Sequence, residues 1–256
     1  LGVQASDIDI ATDATPDQVQ SVSKAAGFRT IPTGIDHGTL TVVIDGDPYE
    51  VTTFRNDVET DGRHAVVAFS TDVADDARRR DFTMNALYAR ADGTVVDPLG
   101  GLPDALARRV VFIDDAAARI REDYLRILRF FRFSAWYADP AHGFDADALA
   151  AIATHLDGLA HLSAERVGAE MTKLLGAPDP APAVAVMERV GVLMQLLSGA
   201  QARWLAPLIH AESMLDLSPD PMRRLAVLGG EDVADRLRLS KADARSVELL
   251  REQAGT

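Results

Sequence analysis

The chain is 256 residues long, 47% hydrophobic, carries a formal net charge of −13 and has no cysteine. That length and apolar share suit one or two folded domains with a real core. The missing cysteines exclude disulfide scaffolds, cysteine-zinc sites and thiol catalysis, so any metal must sit on oxygen or histidine. No run of about 18 apolar residues occurs and no basic, apolar leader opens the chain, which excludes a membrane-spanning helix and leads us to expect a cytoplasmic protein.

Short β-prone runs mark the first hundred residues: Asp7–Ala11, Thr39–Asp45 and Tyr49–Phe54, punctuated by the turn pairs Asp45-Gly46 and Asp92-Gly93. Between the first two runs the spacing predicts a helix over Pro16–Ala26, capped by Thr15, with proline at its first position and Gly27 at its end. From Leu102 onward apolar residues recur at three and four, as in Leu125, Leu128 and Phe131 and again in Val167, Met171, Leu174 and Leu175, so the second half is helical. Asp179, Pro180 and Pro182 interrupt the pattern and mark a joint between two helical parts.

Charge is unevenly spread. Residues 1–61 carry a net −8, whereas residues 119–132 carry a net +3, an arrangement that suits a cation site beside a polyanion site. Most of the acids read equally well as the surface coat of an acidic, alanine-rich protein.

In Ser6-Asp7-Ile8-Asp9-Ile10 two carboxylates stand at i and i+2. On a strand both project from one face, while Ile8 and Ile10 point to the core. Aligned anionic oxygens suit a hard divalent cation such as magnesium, which takes one or two carboxylates and fills its octahedron with water and phosphate oxygens; a surface role is the plain alternative. An EF-hand loop fails, because Thr12 and Gln18 stand where it needs glycine and glutamate. Glu50 begins a second alternating strand, with Glu50, Thr52 and Phe54 on one side and Val51 and Thr53 on the other. If the two strands adjoin, Glu50 is a third converging carboxylate; otherwise it is an exposed edge residue.

Arg78-Arg79-Arg80-Asp81-Phe82-Thr83-Met84-Asn85 places three arginines and an acid before a buried-looking helix start that Thr83 would cap. Arginine suits planar, bidentate and phosphate contacts. Asp97-Pro98-Leu99-Gly100-Gly101 is a tight loop or a hinge at the seam between the halves. Arg121–Arg132 reads as one amphipathic helix with Asp123 and Arg126 at i and i+3 and with Arg129 and Arg132 continuing the row. Such a pair is by default a helical salt bridge. An arginine donor beside an aspartate acceptor also matches the pairing edges of cytosine and adenine and mismatches those of guanine and uracil.

Taken in order and spacing, Asp7–Pro16, Glu50–Arg55, Arg79–Ala86, Asp97–Gly101 and Glu122–Arg126 resemble the bacterial class II CCA-adding tRNA nucleotidyltransferases and the related poly(A) polymerases. The likeness is specific from residue 6 to about 135 and diffuse afterwards. It implies an α+β fold: a palm-like mixed sheet with helices as the head (1–104), then an all-α neck (105–176) and part of a helical body (177–256). It implies Mg²⁺ held by Asp7 and Asp9, with Glu50 as a third catalytic acid. Arg80 and Asp81 would touch the ribose, with Arg79 and Asn85 in the same nucleotide-binding set. Asp123 and Arg126 would read the incoming CTP or ATP, with Glu122 holding the arrangement and Arg129 beside it. The Asp97–Gly101 stretch matches the family's flexible segment between head and neck. The implied reaction adds C and A from CTP and ATP to the 3′ end of tRNA, without a membrane.

The family's upstream Gly-Gly-x-x-Arg-Asp segment has no counterpart, since only five residues precede Ser6. We therefore expect the chain to be a piece of a longer protein rather than an inactive copy. Poly(A) synthesis on RNA 3′ ends and a non-catalytic RNA-binding fragment are the competing readings.

Overall fold

The structure, a computed structural model, describes residues 8–61 and 64–254. The chain divides into two compact units, Leu1–Pro103 and Asp104–Thr256.

In the first unit β1 (Asp9–Thr12) leads into helix α1 (Pro16–Ala25), then β2 (Arg29–Gly34), β3 (Thr39–Ile44) and β4 (Asp47–Thr53). Thr15 caps α1 in a capping box with Gln18, with proline at the first position, as the sequence predicts. Among the described residues these strands form a mixed sheet in the order β1-β4-β3-β2, with β1 parallel to β4 and the other pairs antiparallel. Leu40 and Val42 of β3 are buried, and α1 packs chiefly on β2, β3 and β4. The register of β1 on β4 is fixed just past the strand ends. Phe54 N–H donates to the Thr12 carbonyl at 2.7 Å, and the buried Thr53 hydroxyl donates to the Ala14 carbonyl at 2.8 Å.

The placement of Ile8 and Ile10 differs from the sequence reading. They are 61% and 41% exposed, because β1 is the edge strand of the sheet among the described residues and lies beyond the main cover of α1.

A hairpin follows, β5 (Arg55–Asp61) with β6 (His64–Phe69), then α2 (Val73–Arg78) and a small ribbon of β7 (Tyr88–Ala89) with β8 (Val95–Val96). Asp72 caps α2 through Ala74 N–H. The expected helix after Asp81 is only a single 3₁₀ turn, Thr83–Asn85, and Thr83 does not cap it; Phe82 occupies that position. Phe82 and Ala86 are fully buried, so packing rather than helix propagation shapes this segment.

The unit closes at α3 (Leu102–Leu106). The Asp97 carboxylate accepts from Gly101 N–H (2.8 Å) and Leu102 N–H (3.0 Å), capping the turn. A Cβ on Gly101 would sit 2.1 Å from the Thr83 carbonyl oxygen, so backbone presses directly on backbone. Gly101→Ala is expected to destabilise this unit by about 1–3 kcal/mol through overpacking, read as a lowered midpoint in urea; an unchanged midpoint would show that the contact yields freely.

The second unit is helical: α4 (Ala116–Glu122), α5 (Leu125–Tyr137), α6 (Ala146–Thr154), α7 (Ala164–Leu175), α8 (Ala181–Arg189), α9 (Val192–Leu196), α10 (Leu205–Met214), α11 (Pro221–Leu228), α12 (Val233–Arg236) and α13 (Lys241–Ala254). The predicted apolar rows, Leu125, Leu128 and Phe131 of α5 and Val167, Met171, Leu174 and Leu175 of α7, are buried, with Ile127 and Phe130 beside them, and the two helices pack on each other. Phe112 stacks on Phe130 at 5.7 Å. Among the described residues no helix is long and apolar enough to cross a membrane.

Two features of this unit were not foreseen. The single helix expected over Arg121–Arg132 is broken at Asp123, which adopts extended backbone between α4 and α5. Its carboxylate accepts from Leu125 N–H at 3.0 Å, restarting the chain as α5. The other is Arg224, 1% exposed, whose guanidinium donates to the carbonyls of Leu175, the last residue of α7, and of Ala177 and Pro178 beyond it, and pairs with buried Glu212 of α10 at 2.8 Å.

Candidate active site

The first unit holds a cleft of about 1250 Å³. In the parallel pair Asp9 stands opposite Glu50, so the two carboxylates occupy adjacent positions on one face of the sheet. Both are exposed and both line the cleft, with Ile8, Ile10, Thr52 and Phe54. The strands therefore do adjoin, and Glu50 is neighbour to Asp9 rather than an isolated edge residue. Asp7 lies outside the described residues. Among those described, no three acidic or imidazole side chains gather into a metal cluster; Asp9 and Glu50 are a pair.

Arg79 and Arg80 also line the cleft, and both are held by Asp76, three and four positions earlier. Asp76 is 1% exposed. One of its oxygens accepts from Arg79 Nε at 2.7 Å. The other accepts the Tyr88 hydroxyl proton at 2.6 Å and lies 3.4 Å from an Arg80 terminal nitrogen. Arg80 Nε in turn donates to the Tyr88 oxygen at 3.2 Å, and its guanidinium lies 5.1 Å from the centre of the Tyr88 ring. Burial raises the Asp76 pKa, but Arg79, the Tyr88 hydroxyl and Arg80 together outweigh it and hold the carboxyl below its ordinary value. Burial and the bond to Asp76 push the Tyr88 phenol up to about 12.

Asp76 contributes stability above the ordinary carboxylate range and loses it as pH falls through its lowered pKa. Tyr88 contributes below pH 10 and loses it as pH rises through about 12. An ultraviolet titration is expected to show one of the four tyrosines ionising near 12, and Tyr88→Phe to remove that step; a late step that persists in the variant would refute the assignment.

Asp81 is buried beside this network. Its carboxylate accepts from Phe82 N–H at 3.1 Å and the Asn85 amide at 2.6 Å, and neither residue lines the cleft.

In the second unit the sequence-predicted residues form a different cluster. Glu122 accepts from Arg126 at 2.5 Å and also pairs with Arg119, while Arg126 donates to the Arg119 carbonyl at 2.8 Å. Asp123 does not pair with Arg126. The helix break turns it toward Arg166 of α7, at 2.6 Å. Arg129 and Arg132 lie over the Phe133 ring, and Arg132 pairs with Glu170 at 2.6 Å.

Residues 1–111 match the family described as the poly A polymerase head domain, and residues 143–203 match the one described as the probable RNA and SrmB-binding site of polymerase A. The mitochondrial CCA tRNA nucleotidyltransferase 1 of Mus musculus is 39% identical over 248 residues, spanning 94% of this chain and 57% of the mouse protein. The CCA-adding enzyme of Geobacillus stearothermophilus is 39% identical over 195 residues, 75% of this chain and 46% of that protein. The solved Bacillus stearothermophilus CCA-adding enzyme in complex with CTP superposes with a TM-score of 0.71 at 31% identity, over 99% of this chain and 60% of that one. Through residues 1–111 the chain belongs to the poly A polymerase head-domain family, and over most of its length it is similar to CCA-adding enzymes.

A mixed sheet with helices followed by a helical region is the architecture of those enzymes, whose nucleotidyl transfer is typically metal-dependent. This chain spans about half the length of the curated relatives it matches. Against the family's motifs, sequence reasoning missed Asp76, Tyr88 and Arg166. The first was visible as an acid at helical spacing from Arg79 and Arg80. Tyr88 and Arg166 reach their partners only through the fold and leave no local signal.

Proposed function

We propose that this protein transfers nucleotidyl groups from CTP and ATP to the 3′ hydroxyl of tRNA, releasing pyrophosphate, in the cytoplasm. The observation that carries the reading is the in-register Asp9–Glu50 pair lining a cleft that Arg79 and Arg80 also line. The named activity of the mouse and Geobacillus relatives supports it. So does the solved Bacillus enzyme, whose complex contains CTP.

Paired, exposed carboxylates fit Mg²⁺, which accepts one or two protein oxygens and leaves its other positions to water and phosphate. Asp9, with Asp7, would hold the ion, and Glu50 stands beside Asp9. Mg²⁺, when bound, lowers the pKa of the attacking hydroxyl and offsets charge on the departing pyrophosphate. Arg79 and Arg80 supply fixed positive charge toward the triphosphate and ribose. Asp81, off the cleft, holds the Asn85 amide and so shapes the turn whose Asn85 carbonyl meets Arg80. In the second unit Asp123 and Arg126 read the pairing edge of cytosine or adenine, with Glu122 steadying Arg126 and Arg129 adding positive charge beside it. Residues 1–104 serve as head, 105–176 as neck and 177–256 as part of a body for the tRNA. No covalent enzyme intermediate is needed, since positioning and electrostatics carry the rate.

The test is incubation of the protein with Mg²⁺, tRNA lacking its 3′-terminal CCA, and CTP and ATP singly and together. Short, defined additions of C then A support the reading. Long A tracts on many RNAs would establish poly(A) synthesis instead, and tRNA binding without incorporation would establish a binding module.

A further inference from the structure

We propose that Asp76 and Tyr88 are positioning residues that fix the Arg80 guanidinium against the sugar of the incoming nucleotide. The proposal rests on the nucleotidyl-transfer reading above.

A solvent-facing arginine samples many rotamers, and a ligand that uses it must restrict them on binding. Arg80 is already restricted. Its Nε donates to the Tyr88 oxygen (3.2 Å), one terminal nitrogen lies 3.4 Å from the Asn85 carbonyl and the other 3.4 Å from Asp76. Its plane lies over the Tyr88 ring. A third of the side chain nevertheless remains exposed, and it lines the cleft.

The anchor is built for this task. Asp76 is sealed from water, so its charge acts through a low local dielectric. Its two oxygens divide the work: one binds Arg79, and the other binds Tyr88 while lying near Arg80. The Tyr88 hydroxyl is the bridge, donating to Asp76 and accepting from Arg80. Phe54, also in the cleft, meets the Tyr88 ring edge-on at 6.4 Å and fixes its plane. Phenylalanine at 88 would keep the ring and the cation–π contact and lose only the bridge. Asp76→Asn would keep one acceptor oxygen and lose the charge and the second acceptor.

The experiment compares wild type, Tyr88→Phe and Asp76→Asn in steady-state incorporation into tRNA lacking CCA. CTP binding without tRNA is measured by calorimetry, and thermal unfolding serves as the control for folding. In Tyr88→Phe the KM for CTP and for ATP is expected to rise about tenfold alike, with kcat within twofold, as removal of one binding contact dictates. Preference for CTP over dCTP is expected to fall about tenfold while preference for CTP over UTP stays. Asp76→Asn is expected to show the same pattern more strongly, and calorimetric CTP affinity to fall in step. Unchanged KM and ribose preference in both variants, with an active wild type, overturn the proposal. So does a lowered unfolding temperature with those parameters unmoved, which reduces the cluster to a structural staple. A wild-type chain that neither binds nor incorporates CTP overturns the transfer reading itself, and this one with it.

Discussion

Asp9→Ala is expected to lower nucleotide incorporation by at least about 10³-fold, roughly 4 kcal/mol of lost transition-state stabilisation, while tRNA affinity and unfolding midpoint stay near wild type. Asp9 is exposed on an edge strand, where a substitution away from packed contacts usually changes stability by less than about 0.5 kcal/mol. Its neighbour in register, Glu50, adds negative charge at the same place, so Glu50→Gln should move activity in the same direction by a smaller factor. Calorimetric titration with Mg²⁺ separates this from a folding defect, since wild type should bind the ion more tightly than Asp9→Ala. Incorporation by Asp9→Ala within a few-fold of wild type would remove the metal role from this residue.

Arg224→Ala is expected to cost the second unit about 3–5 kcal/mol, a large share of a domain's stability. The substitution strips the partner from three carbonyls at and just past the end of α7 and leaves buried Glu212, among the described residues, with Arg223 alone, at 2.8 Å, to offset its charge. A double substitution, Arg224→Met with Glu212→Leu, should recover part of the loss, because replacing a buried ion pair by apolar side chains is often close to neutral. Urea unfolding followed by tryptophan fluorescence reads both: the two tryptophans, Trp136 and Trp204, lie in this unit. A shift of the Arg224→Ala midpoint worth less than about 1 kcal/mol would show that the carbonyls find other donors cheaply.

What could be read from the sequence followed from how far each interaction reaches. Caps, turns and apolar spacing act within four or five residues, so the α1 capping box and the buried rows of α5 and α7 were foreseeable from Thr15, Pro16, Leu128 and Met171. Alternation also showed which side of β4 Glu50 faces. That Asp9 stands opposite Glu50 could only be conditional, because strand partners 41 positions apart meet through the sheet. Three readings failed for identifiable reasons. Ile8 and Ile10 look like core residues locally, but an edge strand leaves them exposed. Helical spacing from Arg121 to Arg132 is compatible with one helix, yet the Asp123 carboxylate captures the Leu125 amide and is drawn to Arg166, 43 residues further along. The segment after Asp81 looks like a helix start, but its fully buried Phe82 and the direct press of Gly101 on Thr83 leave room for one turn only.

The alignment of β1 on β4 has a mechanical corollary. Side chains on a strand alternate, so a slip of one residue would set Asp9 opposite Val51 and point the two acids to opposite sides of the sheet. Ordinarily a misplaced apolar set penalises such a slip, but Ile8 and Ile10 are already in solvent and exert little restoring force. The task falls to the bonds from Phe54 to Thr12 and from Thr53 to Ala14, which act as an indexing pin at the far end of the strand. Fidelity of the acid pair is thus set by the Phe54 amide, the Thr53 hydroxyl and the main-chain carbonyls of Thr12 and Ala14.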